Sequence, residues 1–72
     1  MSADAPHIDP TAMRRARLAA GLTREDVAVA IGKSFSTVVN YESGRSRPAS
    51  EVVVVRWARA CGVTPDDLLV RP

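Results

Sequence analysis

One histidine and one cysteine are the only side chains in these 72 residues that titrate near neutral pH, the range useful to proton transfer or nucleophilic attack. His7 stands alone in the amino-terminal stretch Met1-Ser-Ala-Asp-Ala-Pro-His-Ile-Asp-Pro10, and no Ser, His and Asp set has a scaffold to align it. It is expected to be inert. Cys61 has no partner for an internal disulfide or a multi-cysteine metal site, and within a helix it reads as a small core hydrophobe. Asp66 and Asp67 follow Thr64-Pro65, where they complete a helix start better than they hold a metal. The four glycines, at 21, 32, 44 and 62, lie where helices end instead of clustering into a phosphate-cradling loop. No enzyme, cofactor or metal is implied.

The charges are better suited to binding. Residues 14–59 hold nine Lys or Arg against Glu25, Asp26, Glu42 and Glu51, so this segment carries +5 while both flanks are acidic. Basic charge gathered mid-chain fits a polyanionic partner, although a solvated surface would account for it equally well. A chain with 46% apolar and 25% charged residues folds around one core. At this length it buries only about 60% of the surface that its unfolded form exposes, which leaves little room for a deep pocket. No apolar run approaches the roughly 20 residues of a bilayer-spanning helix, and the first ten residues lack a secretory pattern, so a cytoplasmic location is expected.

These groups must be positioned by short helices, because capping and turn residues punctuate the chain at regular intervals. Residues 1–9 read as a flexible arm and 10–72 as the domain. Asp9 and Pro10 start a first helix through Met13, Ala16, Arg17 and Ala20, which stops at Gly21. Thr23 caps a second, with Asp26 at the capping-box position and Val27, Ala28 and Ile31 at helical spacing before Gly32. Ser34 caps a third, Phe35 to Ser43, closed by Gly44. After the basic loop Arg45-Ser-Arg47-Pro48, Ser50 caps a fourth to about Cys61, with Val54, Val55, Ala58 and Cys61 as its inward stripe and Val52 and Val53 outside it. Thr64-Pro65-Asp66-Asp67 predicts a fifth, short helix. The expected fold is all-α, with five helices.

Helices two and three, joined across Gly32 to Ser34, describe a helix-turn-helix. On the third helix Thr37, Val38, Tyr41 and Glu42 share one arc, and Phe35, Ser36, Val39, Asn40 and Ser43 the opposite one. The second arc has no charge and two sizeable apolar residues, which is unusual for a face turned to water.

Here the chain resembles the lambda-repressor and Cro-like helix-turn-helix DNA-binding domains, also called the xenobiotic-response-element type. The likeness covers roughly residues 11–70. It is carried by Arg14-Arg-Ala-Arg17, Ala20-Gly-Leu-Thr-Arg-Glu-Asp-Val-Ala28, Ile31-Gly32 with Ser34, Thr37-Val38, Tyr41-Glu42-Ser-Gly-Arg45, and Ala58 to Val63 with Asp67-Leu68.

The resemblance implies that the third helix enters the DNA major groove, with Phe35, Ser36, Val39 and Asn40 at the base edges. Family members often carry Gln or Arg at the first two of these positions, so Phe35 and Val39 depart from the family habit. Asn pairs with adenine and apolar side chains meet the thymine methyl, so an A·T-biased half-site is expected, with Lys33 or Arg45 able to reach in from the ends. The alternative for Phe35 is packing against its own protein. Phosphate contacts are expected from Thr23, Arg24, Lys33, Ser34, Arg45 and Arg47. The resemblance also places Arg17 beside Glu42 as a structural ion pair.

The implied protein is a small transcriptional regulator, a repressor, bound as a homodimer to a palindrome. Val52, Val53, Trp57, Leu69 and Val70 are surplus apolar residues available for the dimer contact, with core packing the competing assignment for Trp57. A protein-binding helix-turn-helix, such as an antitoxin or accessory subunit, is the alternative class.

Overall fold

The computed structural model describes residues 8–70. Four α-helices follow in order: α1 Pro10–Ala19, α2 Arg24–Ile31, α3 Phe35–Ser43 and α4 Glu51–Cys61. Each begins where a side-chain oxygen accepts an otherwise unpaired backbone N–H. Asp9 accepts from Thr11 at 3.0 Å, Ser34 from Thr37 at 3.2 Å and Ser50 from Val52 at 3.1 Å. Thr23 and Asp26 form a reciprocal box, each accepting the other's backbone N–H. Gly32 and Gly44 adopt left-handed φ of 73° and 81°, so the backbone reverses at both ends of α3 without the steric penalty a side chain would bring.

The expected five helices are corrected to four. Residues Pro65–Leu68 form a single 3-10 turn, because Leu69 turns extended and its neighbourhood pairs with the other end of the chain. Ile8 and Leu69 make an antiparallel bridge, and Asp9 N–H donates to the Leu68 carbonyl at 2.8 Å. The backbone groups that would have continued a helix are thus used across the fold. Of the expected amino-terminal arm, residues 1–7, including His7, lie outside the described residues.

The core forms where α1, α2, α3, α4 and the 3-10 turn meet: Met13, Val27, Ile31, Val38, Trp57 and Leu68 are all essentially inaccessible. Trp57 is the largest of them, and its indole N–H donates to the Met13 carbonyl at 3.1 Å, tying α4 to α1. Its burial rotates α4 from the expected stripe. Val53, Val54, Trp57 and Ala58 face inward, whereas Val55 is exposed and Cys61 is half-buried. Neither Trp57 nor Val53 is therefore surplus. Val52, Val55 and Val70 remain exposed and Leu69 half-buried.

Candidate nucleic-acid interface

The exposed row of α3 is built by what holds its other side. Val38 and Tyr41 enter the core, which turns Phe35, Ser36 and Val39 outward and leaves Asn40 half-buried at the edge of the row. Phe35 is 46% exposed and Val39 36%, so neither is absorbed by its own protein. At the carboxyl end, the Asn40 carbonyl accepts from the N–H groups of Arg45 at 3.0 Å and Ser46 at 3.3 Å and from the Ser43 hydroxyl at 3.1 Å. The basic loop is thereby anchored to the helix whose outer face it borders.

Glu42, on the opposite face, is buried against cations. Arg17 Nε donates to Glu42 Oε2 at 2.6 Å and Arg17 Nη2 to Oε1 at 3.1 Å, while Arg17 Nη1 reaches the Leu22 carbonyl at 3.0 Å. Only 6% of the Arg17 side chain and 3% of the Glu42 side chain are accessible. A second guanidinium, Arg24, donates from Nε to Glu42 Oε1 at 3.3 Å. Three helices are therefore clamped on one carboxylate. Among the described residues no buried side-chain polar atom lacks a partner.

Cations surround the uncharged row without entering it. Lys33 lies in the turn before α3, and Arg45 and Arg47 in the loop after it, all exposed. Arg24 marks the amino end of α2. The Ser34 hydroxyl is occupied by Thr37, at 3.2 Å from its N–H and 2.9 Å from its Oγ1. Thr23 is similarly committed: its N–H donates to Asp26 and its hydroxyl oxygen accepts from it. The Thr23 backbone N–H and hydroxyl hold the Asp26 carboxyl below its usual pKa, so this helix end carries a firmly ionised carboxylate.

Arg56 was not among the expected cations. It lies on α4, yet its Nη1 sits 3.5 Å from where a side chain at Gly32 would begin, so its charge stands at the α2–α3 turn beside Lys33. No local sequence signal marks this, because the two residues meet only once α4 packs across α2. Among the described residues no group of acids, His and Cys is placed to hold a metal. Cys61 is partly buried, and burial raises its thiol pKa above the ordinary value. No helix among the described residues is long and apolar enough to cross a membrane.

Two helices joined by a left-handed glycine turn, the second resting on the first and showing a solvent-facing row flanked by cations, define a helix-turn-helix domain. The comparisons with known proteins agree: residues 11–70 match the family described as a helix-turn-helix domain, and the chain belongs to that family. The chain is also similar to the restriction-modification controller protein C.AhdI from Aeromonas hydrophila, at 32% identity over 82% of this chain and 88% of that one, with a TM-score of 0.72. Among curated proteins nothing matches significantly.

Proposed function

We propose that this protein is a sequence-specific DNA-binding transcriptional regulator that places α3 in the major groove. The observation that carries the reading is the uncharged, solvent-facing row Phe35, Ser36, Val39 and Asn40, bordered by Lys33 on one side and Arg45 and Arg47 on the other. A phosphate-lined groove attracts the borders, and a row without charge enters between them with little desolvation cost. Similarity to a controller protein over most of both chains supports a regulatory role. Asn40 reads adenine and the two apolar side chains meet thymine methyls, which gives an A·T-biased half-site. Arg24, Lys33, Ser34, Arg45 and Arg47 set the register on phosphates, with Arg56 added at the turn, whereas Thr23, whose N–H and hydroxyl are both spent on Asp26, does not take part.

A single module of this size buries only about 600–1,000 Å² on DNA, so a homodimer on a palindrome is proposed. Its contact is the exposed side of α4. Glu51, Val55 and Arg59 follow one another at four-residue spacing on that side, with Val52 beside them, and an open groove of about 340 Å³ bounded by Ile8, Val54, Val55 and Leu69 adjoins it. An antiparallel pairing centred on Val55 sets each Glu51 opposite Arg59 of the second copy. Bound in this way, the dimer acts as a repressor by occupying its site.

Enrichment of bound duplexes from a random pool by the purified protein tests the reading. An enriched palindrome with A·T-rich half-sites supports it, and G·C-rich half-sites refute the assignment of the α3 row. A folded protein that enriches nothing favours the second reading, a protein-binding helix-turn-helix such as an antitoxin, for which exposed Phe35 and Val39 are the contact surface.

A further inference from the structure

Two of the outward side chains of α3 have no hydrogen-bonding group at all. Phe35 and Val39 are both exposed, and their four-residue spacing puts them on one face, about 6 Å apart along the helix axis. Stacked base pairs repeat about every 3.4 Å, so the two side chains reach bases one or two steps apart. Of everything a base pair presents in the major groove, an apolar side chain gains only from the C5-methyl group, since the amino groups and the N7, O6 and O4 acceptors all call for a polar partner. The row itself holds no Lys or Arg, so nothing within it pairs bidentately with a guanine. Thymine carries that methyl, and 5-methylcytosine carries the same group at the same ring position. To Phe35 and Val39 the two bases are alike, and unmodified cytosine is the one that differs.

Resting on the DNA-binding reading, we propose that the α3 row senses cytosine methylation: Phe35 and Val39 read the C5-methyl group itself, so the protein distinguishes 5-methylcytosine from cytosine within its site. The two residues are fixed for this task from behind, because Val38 and Tyr41 are buried on the opposite side of α3 and Glu42 is held by Arg17. A methyl that meets an apolar side chain leaves water on binding, and the gain is the same whichever pyrimidine bears it. Asn40 and Ser36 are the polar members of the row and read the hydrogen-bonding edges, so they do not respond to the methyl. Methylation of cytosines in the operator then changes its occupancy directly, through the recognition helix alone.

The test starts from the palindrome that the wild type selects and changes each thymine of the half-site in turn, to uracil, or with its T·A pair replaced by C·G or by 5-methylcytosine·G. Affinities of the wild type, Phe35→Ala, Val39→Ala and Asn40→Ala for these duplexes and for an unrelated duplex are read by fluorescence anisotropy. Phe35 and Val39 are exposed, so the alanine variants keep the fold, which circular dichroism melting verifies. At one position or more, uracil should weaken wild-type binding by about fourfold per half-site, the effect of leaving one methyl unburied, and 5-methylcytosine·G should bind more tightly than C·G by the same factor. Phe35→Ala or Val39→Ala removes that difference at the base it faces, whereas Asn40→Ala lowers affinity and keeps it. Equal affinity for C·G and 5-methylcytosine·G at every position overturns the proposal while the DNA-binding reading stands. A methyl effect that survives both apolar substitutions overturns it too, because the methyl then acts through the shape of the duplex. A wild type that shows no preference for the palindrome over the unrelated duplex overturns both readings.

Discussion

Replacing Arg17 by alanine isolates the energetics of the clamp beneath α3. The substitution removes both hydrogen bonds from Arg17 to Glu42 and the bond to the Leu22 carbonyl. It leaves a carboxylate whose side chain is 3% accessible with a single 3.3 Å contact from Arg24. Breaking a buried pair from one side costs about 3–5 kcal/mol, and here the remaining charge is shut off from water and keeps only the single partly exposed Arg24 contact. A domain of this length has a total stability of about 4–11 kcal/mol at the usual per-residue value, so Arg17→Ala should fall to a small margin or unfold. Urea titration followed by far-ultraviolet circular dichroism reads this as a lower midpoint at nearly unchanged slope. The double variant Arg17→Met, Glu42→Leu should recover most of the loss, because neither buried charge remains and Arg24 can turn to water. A loss below about 1 kcal/mol, the ordinary value of an exposed pair, together with abolished DNA binding would refute the reasoning and make Arg17 a phosphate ligand.

Other perturbations follow from the same contacts. Trp57→Ala removes the largest buried side chain and its bond to Met13, so a loss of about 3–5 kcal/mol is expected from denaturant titration, and one under 1 kcal/mol would contradict its core position. The Asp26 carboxyl has its folded-state pKa lowered from 3.8, so its contribution is complete above that value and is lost as pH falls through the lower folded value. Denaturation midpoints of wild type and Asp26→Asn should accordingly differ at neutral pH and converge in acid; a constant gap would disprove the linkage. Val55→Glu should give a monomer by sedimentation with its melting temperature retained, and a persistent dimer would move the interface away from α4. With about four phosphates neutralised per subunit, log K against log salt should have a slope near −7, and a flat response would contradict the cationic border.

Much of the scaffold was readable along the chain because helix ends are settled within a few residues. Ser34 and Gly44 bound α3 in sequence and in space alike, since a cap oxygen and a left-handed glycine act on their nearest backbone neighbours. The two arcs of α3 were legible for a related reason: Val38 and Tyr41 are one turn apart, so burying them turns Phe35, Ser36 and Val39 outward. The family followed from residue types in order. Where only the tertiary structure decided, the deciding partner was distant in sequence. The rotation of α4 depended on burying Trp57 in the core with its indole bonded to α1, so Val53 went inward and Val55 out despite their shared residue type. The last turn stopped short of an α-helix because Ile8 and Asp9 claimed its backbone. Arg24 came to Glu42 across 18 residues and Arg56 to Gly32 across the α2–α4 contact. Capping energies are local and so are written in the sequence, whereas burial and charge compensation depend on which surfaces meet once the helices pack.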